Sequence, residues 1–352
     1  MFKKRLALLL VFLLMLTTLV GCGGGAANEP EGGQEVEEPE VEDEVKLRMA
    51  MVTDVGGVND QSFNESAWNG HKMAEAELGF EVNYVESQQD ADYEQNLETL
   101  LDAGNDLIWG IGFMMEDAIL EAAEFNPEQK YAIVDSAFED APDNIVGVLF
   151  KAEEASFLVG YIAGKMTETN KVGFVGGMDF PVIHGFNYGF MAGVKYANPD
   201  AEIFVQYADA FDDSAKGKAI ATQMYQQGAD IVFHAAGQTG DGVIEAAKEQ
   251  DKYVIGVDQD QNHLAPDNVI TSAMKRVDNA IFMIAEDLKA DKFPGGQTKV
   301  FGLEDGGVGI APTSDKHVPA ELLSEVKDIE KEIVAGNIFV PDNAEDYEAN
   351  YK

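Results

Sequence analysis

Asp135 and Asp258 close short apolar runs at corresponding places in the chain, the first introduced by Lys130 and Tyr131, the second by Lys252 and Tyr253. Burying two carboxylates near each other is costly unless each finds donors. A ligand with hydroxyl groups supplies those donors, and one carboxylate can accept a bond from each of two vicinal hydroxyls. The alternative is that both are exposed N-caps of following helices. Lys275 follows the apolar run 270–274, where it would neutralise Asp258 and donate to the same diol, unless it is a solvated surface lysine. Asp54 ends the first apolar run. Ser62 with Glu65 three residues on has the form of a capping box and puts Phe63 in the first turn of a helix. There Phe63 either points into a cleft or joins a helical stripe with Ala67, Gly70 and Ala74. Phe211 stands in a loop ahead of a helix near 215–227, offering a flat face or filling a small satellite core. Gly110, Gly112, Gly176, Gly177 and Gly237 let backbone come close to a bound molecule.

Catalytic and cofactor patterns are missing around these residues. The five histidines (His71, His184, His234, His263 and His317) have no metal-ligand spacing, and Cys22 is the single cysteine. The stretches 173–177 and 110–112 do not complete a dinucleotide fingerprint, and there is no phosphate-cradling loop with its lysine. No Gly-x-Ser-x-Gly elbow occurs. The acidic run 258–262 lacks the loop glycine and terminal glutamate of a calcium-binding EF-hand. No cofactor and no metal are expected.

The elements that must carry these residues are short apolar runs alternating with amphipathic stretches. Strands are expected near 47–53, 81–85, 106–111, 130–134 and 145–149, and helices near 63–78, 93–103 and 116–124. This alternation reads as βαβ units in an α/β fold with parallel sheets. The pattern is then written a second time. Gly104 to Ala123 matches Gly228 to Ala247, and Asp143 to Val146 matches Asp267 to Ile270, both at an offset of 124 residues. Phe63, Asn64 and Gly70 match Phe186, Asn187 and Gly193 at an offset of 123. A duplicated open α/β unit implies two similar Rossmann-like lobes, their carboxyl strand ends facing one ligand cleft. The expected first lobe is about 46–152 plus later segments, and the second about 170–275 plus C-terminal segments. A helix at 153–166 is expected to cross between them, and the chain after Lys275 to complete both.

The N-terminal residues indicate a compartment. Lys3, Lys4 and Arg5 precede an apolar run of fifteen residues, 6–20, short for a membrane span and suited to a signal peptide at 1–21. The run ends at Leu19, Val20, Gly21 and Cys22, like a bacterial lipobox, so Cys22 is the expected lipidation site. Residues 22–45 read as an acidic disordered tether, with nine carboxylates between Glu29 and Glu44 and no basic residue. The expected location is the cell membrane, lipid-anchored and facing outside the cytoplasm. Without the signal peptide, 21 basic residues face 64 acidic ones, a net charge of about −43. Such a field argues against nucleic acid and anionic surfaces as partners.

Particular motifs add a resemblance. Asn59 to Asn64 after Asp54, the stretch 210–217, Gly256 to Asp260, and Ser272 to Lys275 together resemble the basic membrane protein family, whose best-understood members are purine nucleoside receptors of ABC transporters. The resemblance runs from about Lys46 to the C-terminal helix and implies a type I periplasmic-binding-protein fold. It implies further that Phe63 and Phe211 sandwich a purine, with Asp54, Asn59 and Asp60 at the base edge and Asn64 as the alternative to Asn59. It places Asp135, Gly237, Asp258 and Lys275 around the ribose; Gly112 is expected beside the ligand as a close-approach glycine. Phe186, the repeat mate of Phe63, competes with Phe211 for the second stacking face. The implied partners are adenosine, guanosine or inosine and a permease, the receptor acting as a monomer. A nucleotide would bind poorly, its phosphate meeting an acidic cleft. A receptor for a sugar or other small polar ligand is the alternative on the same fold. An extracytoplasmic nucleoside hydrolase would need a metal-binding carboxylate cluster or a tuned base, and a transcriptional regulator a DNA-reading helix pair.

Overall fold

The structure, a computed structural model, describes residues 46–352. The expected signal peptide, Cys22 and the acidic tether lie outside them. Two six-stranded sheets organise the chain. In the first, β1 (Arg48–Val52), β2 (Glu81–Val85), β3 (Leu107–Ile111), β4 (Lys130–Val134), β5 (Ile145–Phe150) and the late β11 (Thr298–Phe301) lie parallel in the order β11-β5-β4-β3-β1-β2. The second contains β6 (Lys171–Gly176), β7 (Glu202–Tyr207), β8 (Ile231–Ala235), β9 (Tyr253–Asp258), β10 (Val269–Lys275) and β12 (Val308–Ile310), ordered β12-β10-β9-β8-β6-β7. Only its last strand, β12 on β10, runs antiparallel. The sequence repeat thus appears as one strand order built twice.

Helices cover both faces of each sheet, so the central strands read as unbroken apolar runs. Leu107 to Ile111 in β3 is buried at every position, whereas the edge strand β2 is half exposed. In the first lobe, α1 (Phe63–Met73), continued by a π-helical turn, Ala74–Leu78, packs with α8 (Val277–Lys289) on one face. Helices α2 (Tyr93–Asp102) and α3 (Glu116–Phe125) pack on the other. In the second lobe, α4 (Ala152–Met166) and α5 (Pro181–Ala197) form one layer with α9 (Ala320–Val334) and α10 (Ala344–Tyr351). Helices α6 (Ser214–Gln226) and α7 (Thr239–Gln250) form the opposite layer. Among the described residues no helix is long and apolar enough to cross a membrane.

The paired helices approach closely. A Cβ at Gly193 on α5 would collide with the Phe157 carbonyl of α4, and one at its repeat mate Gly70 on α1 with the Asp278 carbonyl of α8. The recurring glycine therefore has a packing cause: it admits the neighbouring helix backbone in each lobe.

The chain passes between lobes at Lys151, at Arg276 and at residues 302–307. These passages are tied together, since Lys151 N–H donates to the Phe301 carbonyl at 2.8 Å and Arg276 N–H to the Gly307 carbonyl at 2.9 Å. The helix expected to cross does not. Helix α4 packs against α5, β10, β12 and α9, and Phe157, Leu158 and Ile162 lie in the second lobe's core. An apolar helix is favoured wherever its face can be buried, and here one lobe buries it from its first turn.

Candidate functional site

Carboxyl ends of strands from both sheets meet at a cleft with about 570 Å³ of empty space, including its open mouth. Nine of the expected residues line it: Asp54, Asp60, Phe63, Gly112 and Asp135 from the first lobe's segments, and Phe211, Gly237, Asp258 and Lys275 from the second's.

Asp135 and Asp258 directly follow or end β4 and β9, and both adopt left-handed backbone, with φ of 66° and 62°. This conformation is disfavoured for residues other than glycine, though aspartate tolerates it better than most, and it turns each carboxylate off its strand end. Both are buried, and the following helical turn after β9 is capped by Asp260 rather than by Asp258. The N-cap alternative does not apply. Lys275, 2% exposed, pairs with Asp135 at 2.5 Å, not with Asp258 as expected. Asp258 instead accepts a bond at Oδ2 from the Ser62 hydroxyl at 2.5 Å, across the cleft. Burial pushes the Asp258 carboxyl up to about 6, and the nearby Lys275 charge restrains the rise.

Asp54 and Asp60 share one clamp. Asn64 donates from Nδ2 to Asp54 Oδ1 at 2.7 Å and to Asp60 Oδ2 at 3.0 Å, and its Oδ1 accepts from the Asp54 backbone at 3.3 Å. Asn64 therefore stands behind the wall and orients two carboxylates that line it. Asp60 also caps α1, its oxygens accepting from the backbone N–H groups of Ser62, Asn64 and Glu65 at 2.8–3.0 Å. The expected capping box does not form, because Asp60 has taken the donors and Ser62 reaches to Asp258 instead. Burial, with the charge of Asp60 beside it, pushes Asp54 up to about 7. Burial raises Asp60 as well, against its four hydrogen bonds. Asn59 is exposed on the turn and absent from the lining. Val58 is anchored in the core with its N–H on Glu86 Oε1 at 2.9 Å, and Asp60 is drawn inward, so the residue between them faces out.

Aromatic rings form the walls. Phe63 is half-buried, with the Lys275 ammonium 4.7 Å from its centroid. Phe186 lines the same cleft, 5.8 Å from that ammonium, and is buried. Phe211 lies against Gly177, where a Cβ would fall on the ring. Both competitors for the second face thus border the cavity. Gly112 adopts φ 111° after β3, and a Cβ there would touch Phe63 and Asp54. The lining also includes Gly56, Phe113, Met114, Val182, Ile183 and Gln238, which the sequence reading did not single out. Phe113 stands two residues beyond the end of β3, close to the kind of position that drew attention to Asp135, and its ring meets Phe180 at 4.8 Å and Phe211 edge-on at 6.4 Å.

Taken together, one end of the cleft offers two carboxylates and an ammonium, suited to hydroxyl groups. The rest offers flat apolar faces and a clamped carboxylate pair, suited to a polar-edged ring.

Comparison with known proteins identifies the family. Residues 47–344 match the family model Bmp, described as ABC transporter substrate-binding protein PnrA-like. The chain is 41% identical to the CD4+ T-cell-stimulating antigen of Listeria innocua, covering 97% of this chain and 99% of that protein. It is 44% identical to Basic membrane protein A of Borreliella burgdorferi, covering 86% of this chain and 89% of the relative. A solved ABC transporter solute-binding protein from Aeropyrum pernix K1 superposes with a TM-score of 0.78 at 30% identity, covering 86% of this chain and 96% of its own. The two parallel sheets with their helices are thus those of a type I periplasmic solute-binding protein. The chain belongs to the Bmp family of PnrA-like ABC transporter substrate-binding proteins, a membership that implies a small-molecule ligand and a permease partner.

Proposed function

We propose that this protein captures purine nucleosides outside the cytoplasm, held to the membrane by a lipid on Cys22 and an acidic tether, and delivers them to its permease unchanged. One observation carries the reading: two buried strand-end carboxylates and an ammonium, Asp135, Asp258 and Lys275, stand in the same cleft as the faces of Phe63 and Phe211. The carboxylates accept the ribose diol, which supplies donors that burial otherwise denies them. The rings stack on the base, an interaction of about 1–3 kcal/mol per base in single-strand binders. Asp54 and Asp60, held by Asn64, meet the base edge. Closure of two lobes around a ligand is a familiar hinge motion, and the closed shape is what the permease reads.

Calorimetry of the purified protein against adenosine, guanosine, inosine, cytidine, ribose and the 2′-deoxynucleosides tests this. The expected result is tight binding of at least one purine ribonucleoside, about tenfold or more weaker binding of its 2′-deoxy form, and no product on chromatography. The deoxy penalty follows from a buried carboxylate left without its partner, about 1–3 kcal/mol. Binding of ribose without nucleosides would assign the cleft to a sugar, and turnover would make the protein an enzyme.

A further inference from the structure

A second cavity, with about 560 Å³ of empty space, lies on the hinge side of the cleft. It shares Asp135, Val182 and Lys275 with the first, so the two adjoin at the same ion pair. Its remaining wall comes from the lobe passage and the two helices beside it: Phe150, Glu153 in the first turn of α4, Gly185 on α5, and Asp342 at the exposed rim. We propose that this cavity is a subsite for the substituent at the sugar's 5′ carbon, and that Glu153 and Asp342 make it accept neutral or cationic groups and reject anionic ones. The proposal rests on the nucleoside reading above.

The stereochemistry of a ribose leads there. Its 1′ carbon carries the base, its 2′ and 3′ hydroxyls are held at Asp135 and Asp258, and the 5′ carbon alone remains free to carry a further group. The hinge-side cavity adjoins this diol end, since Asp135 and Lys275 line it as well. Its charge is then decisive. Lys275, the single cation in the lining, is committed to Asp135 at 2.5 Å and enclosed by the rings of Phe63 at 4.7 Å and Phe150 at 5.3 Å. Lys151 nearby pairs with Glu154 at 3.3 Å. Burial, with the charges of Glu154 and Asp342 close by, pushes the Glu153 carboxyl up to about 7, a group ready to ionise against an ammonium. Space for the substituent comes from Gly185, whose missing side chain leaves the Glu153 carboxylate clear on that side.

The test is calorimetry on the full chain with the purine nucleoside it binds best, its 5′-amino-5′-deoxy analogue and its 5′-monophosphate, using wild type, Glu153→Gln and Glu153→Lys. Wild type should hold the amino analogue at least as tightly as the nucleoside and the monophosphate about 100-fold more weakly, the scale of juxtaposed like charges. Glu153→Gln should cut the preference for the amino analogue over the monophosphate about tenfold, and Glu153→Lys should bring the monophosphate within about tenfold of the nucleoside. The parent nucleoside, measured alongside with each variant's melting curve, reports on folding and on the cleft itself. If it binds normally while the three ligands keep one ratio in wild type and in the folded Gln variant, the subsite is overturned and the nucleoside reading stands. If no nucleoside binds wild type, the nucleoside reading falls and the subsite with it.

Discussion

At the scale of single residues, the cleft is a set of carboxylates held in unfavourable surroundings. Asp54 at about 7 and Asp258 at about 6 both lie above the ordinary aspartate value, each raised first by burial. A carboxyl raised in the folded state binds its proton there while the unfolded chain has lost it. Stability from such a group is therefore full below the unfolded value near 3.8 and declines as pH rises through the folded one. The unliganded protein should melt at higher temperature near pH 5 than near pH 7.5. Asp54→Asn should flatten that slope, removing a dependence of roughly 2–3 kcal/mol between those two pH values, and an unchanged slope in thermal melts would place the titration elsewhere. On binding, Phe63→Ala and Asp258→Ala should each weaken nucleoside affinity about tenfold or more with the fold intact, by calorimetry and circular dichroism. Asp135, Asp258 and Lys275 were legible because strand-end polar residues in an open α/β unit have few places to go. Their pairing was not: Lys275 meets Asp135, 140 residues away, and Asp258 meets Ser62, 196 residues away, and local sequence does not reveal either contact.

At the scale of elements, strand positions were readable from apolar runs, since central strands such as β3 and β4 are buried on both faces. Two helical expectations failed for one reason: local pattern does not choose between competing partners. Ser62 and Glu65 have capping-box spacing, but Asp60 lies two residues upstream of Ser62 and its carboxylate takes the same backbone donors. Helix α4 has a wide apolar surface, and periodicity does not say which lobe buries it. The caps give a direct test. Asp60→Ala should lower stability by about 1–2 kcal/mol or more in urea unfolding, because α1 loses its cap and Asn64 one of its anchors. Ser62→Ala should cost α1 little, since that hydroxyl makes no cap. The glycine crossings give another. Gly193→Ala pushes a Cβ into the Phe157 carbonyl and should destabilise by about 1–3 kcal/mol, whereas the exposed Gly306, with open space around it, reports only on backbone strain.

At the scale of the whole molecule, the repeat foretold two sheets of one topology, and the structure adds what joins them. Three passages tied by backbone hydrogen bonds form the hinge, and a row of polar contacts spans the opposite side. Gln259 donates to the Ser62 carbonyl at 2.9 Å and accepts from Asn69 at 3.2 Å, while Gln261 donates to the Gln61 carbonyl at 3.0 Å. These pair the start of α1 with the segment after β9, so they exist only when the lobes are together. No local feature marks them, since glutamine in a polar run reads as a solvated loop. Each such bond contributes about 1 kcal/mol net, so Gln259→Ala, which removes these two and a longer one to Glu65 at 3.5 Å, should destabilise the closed form by about 2 kcal/mol or more. The nucleoside dissociation rate should then rise about tenfold or more with little change in association, because the contacts form after encounter. Small-angle scattering of the unliganded variant should show a larger radius of gyration, returning to the wild-type value at saturating ligand. Gln261→Ala is the less clean probe, for its side chain also holds the Val257 backbone at 2.9 Å and its loss would disturb β9 itself. If Gln259→Ala leaves both the dissociation rate and the scattering unchanged, closure is set at the hinge and by the ligand alone.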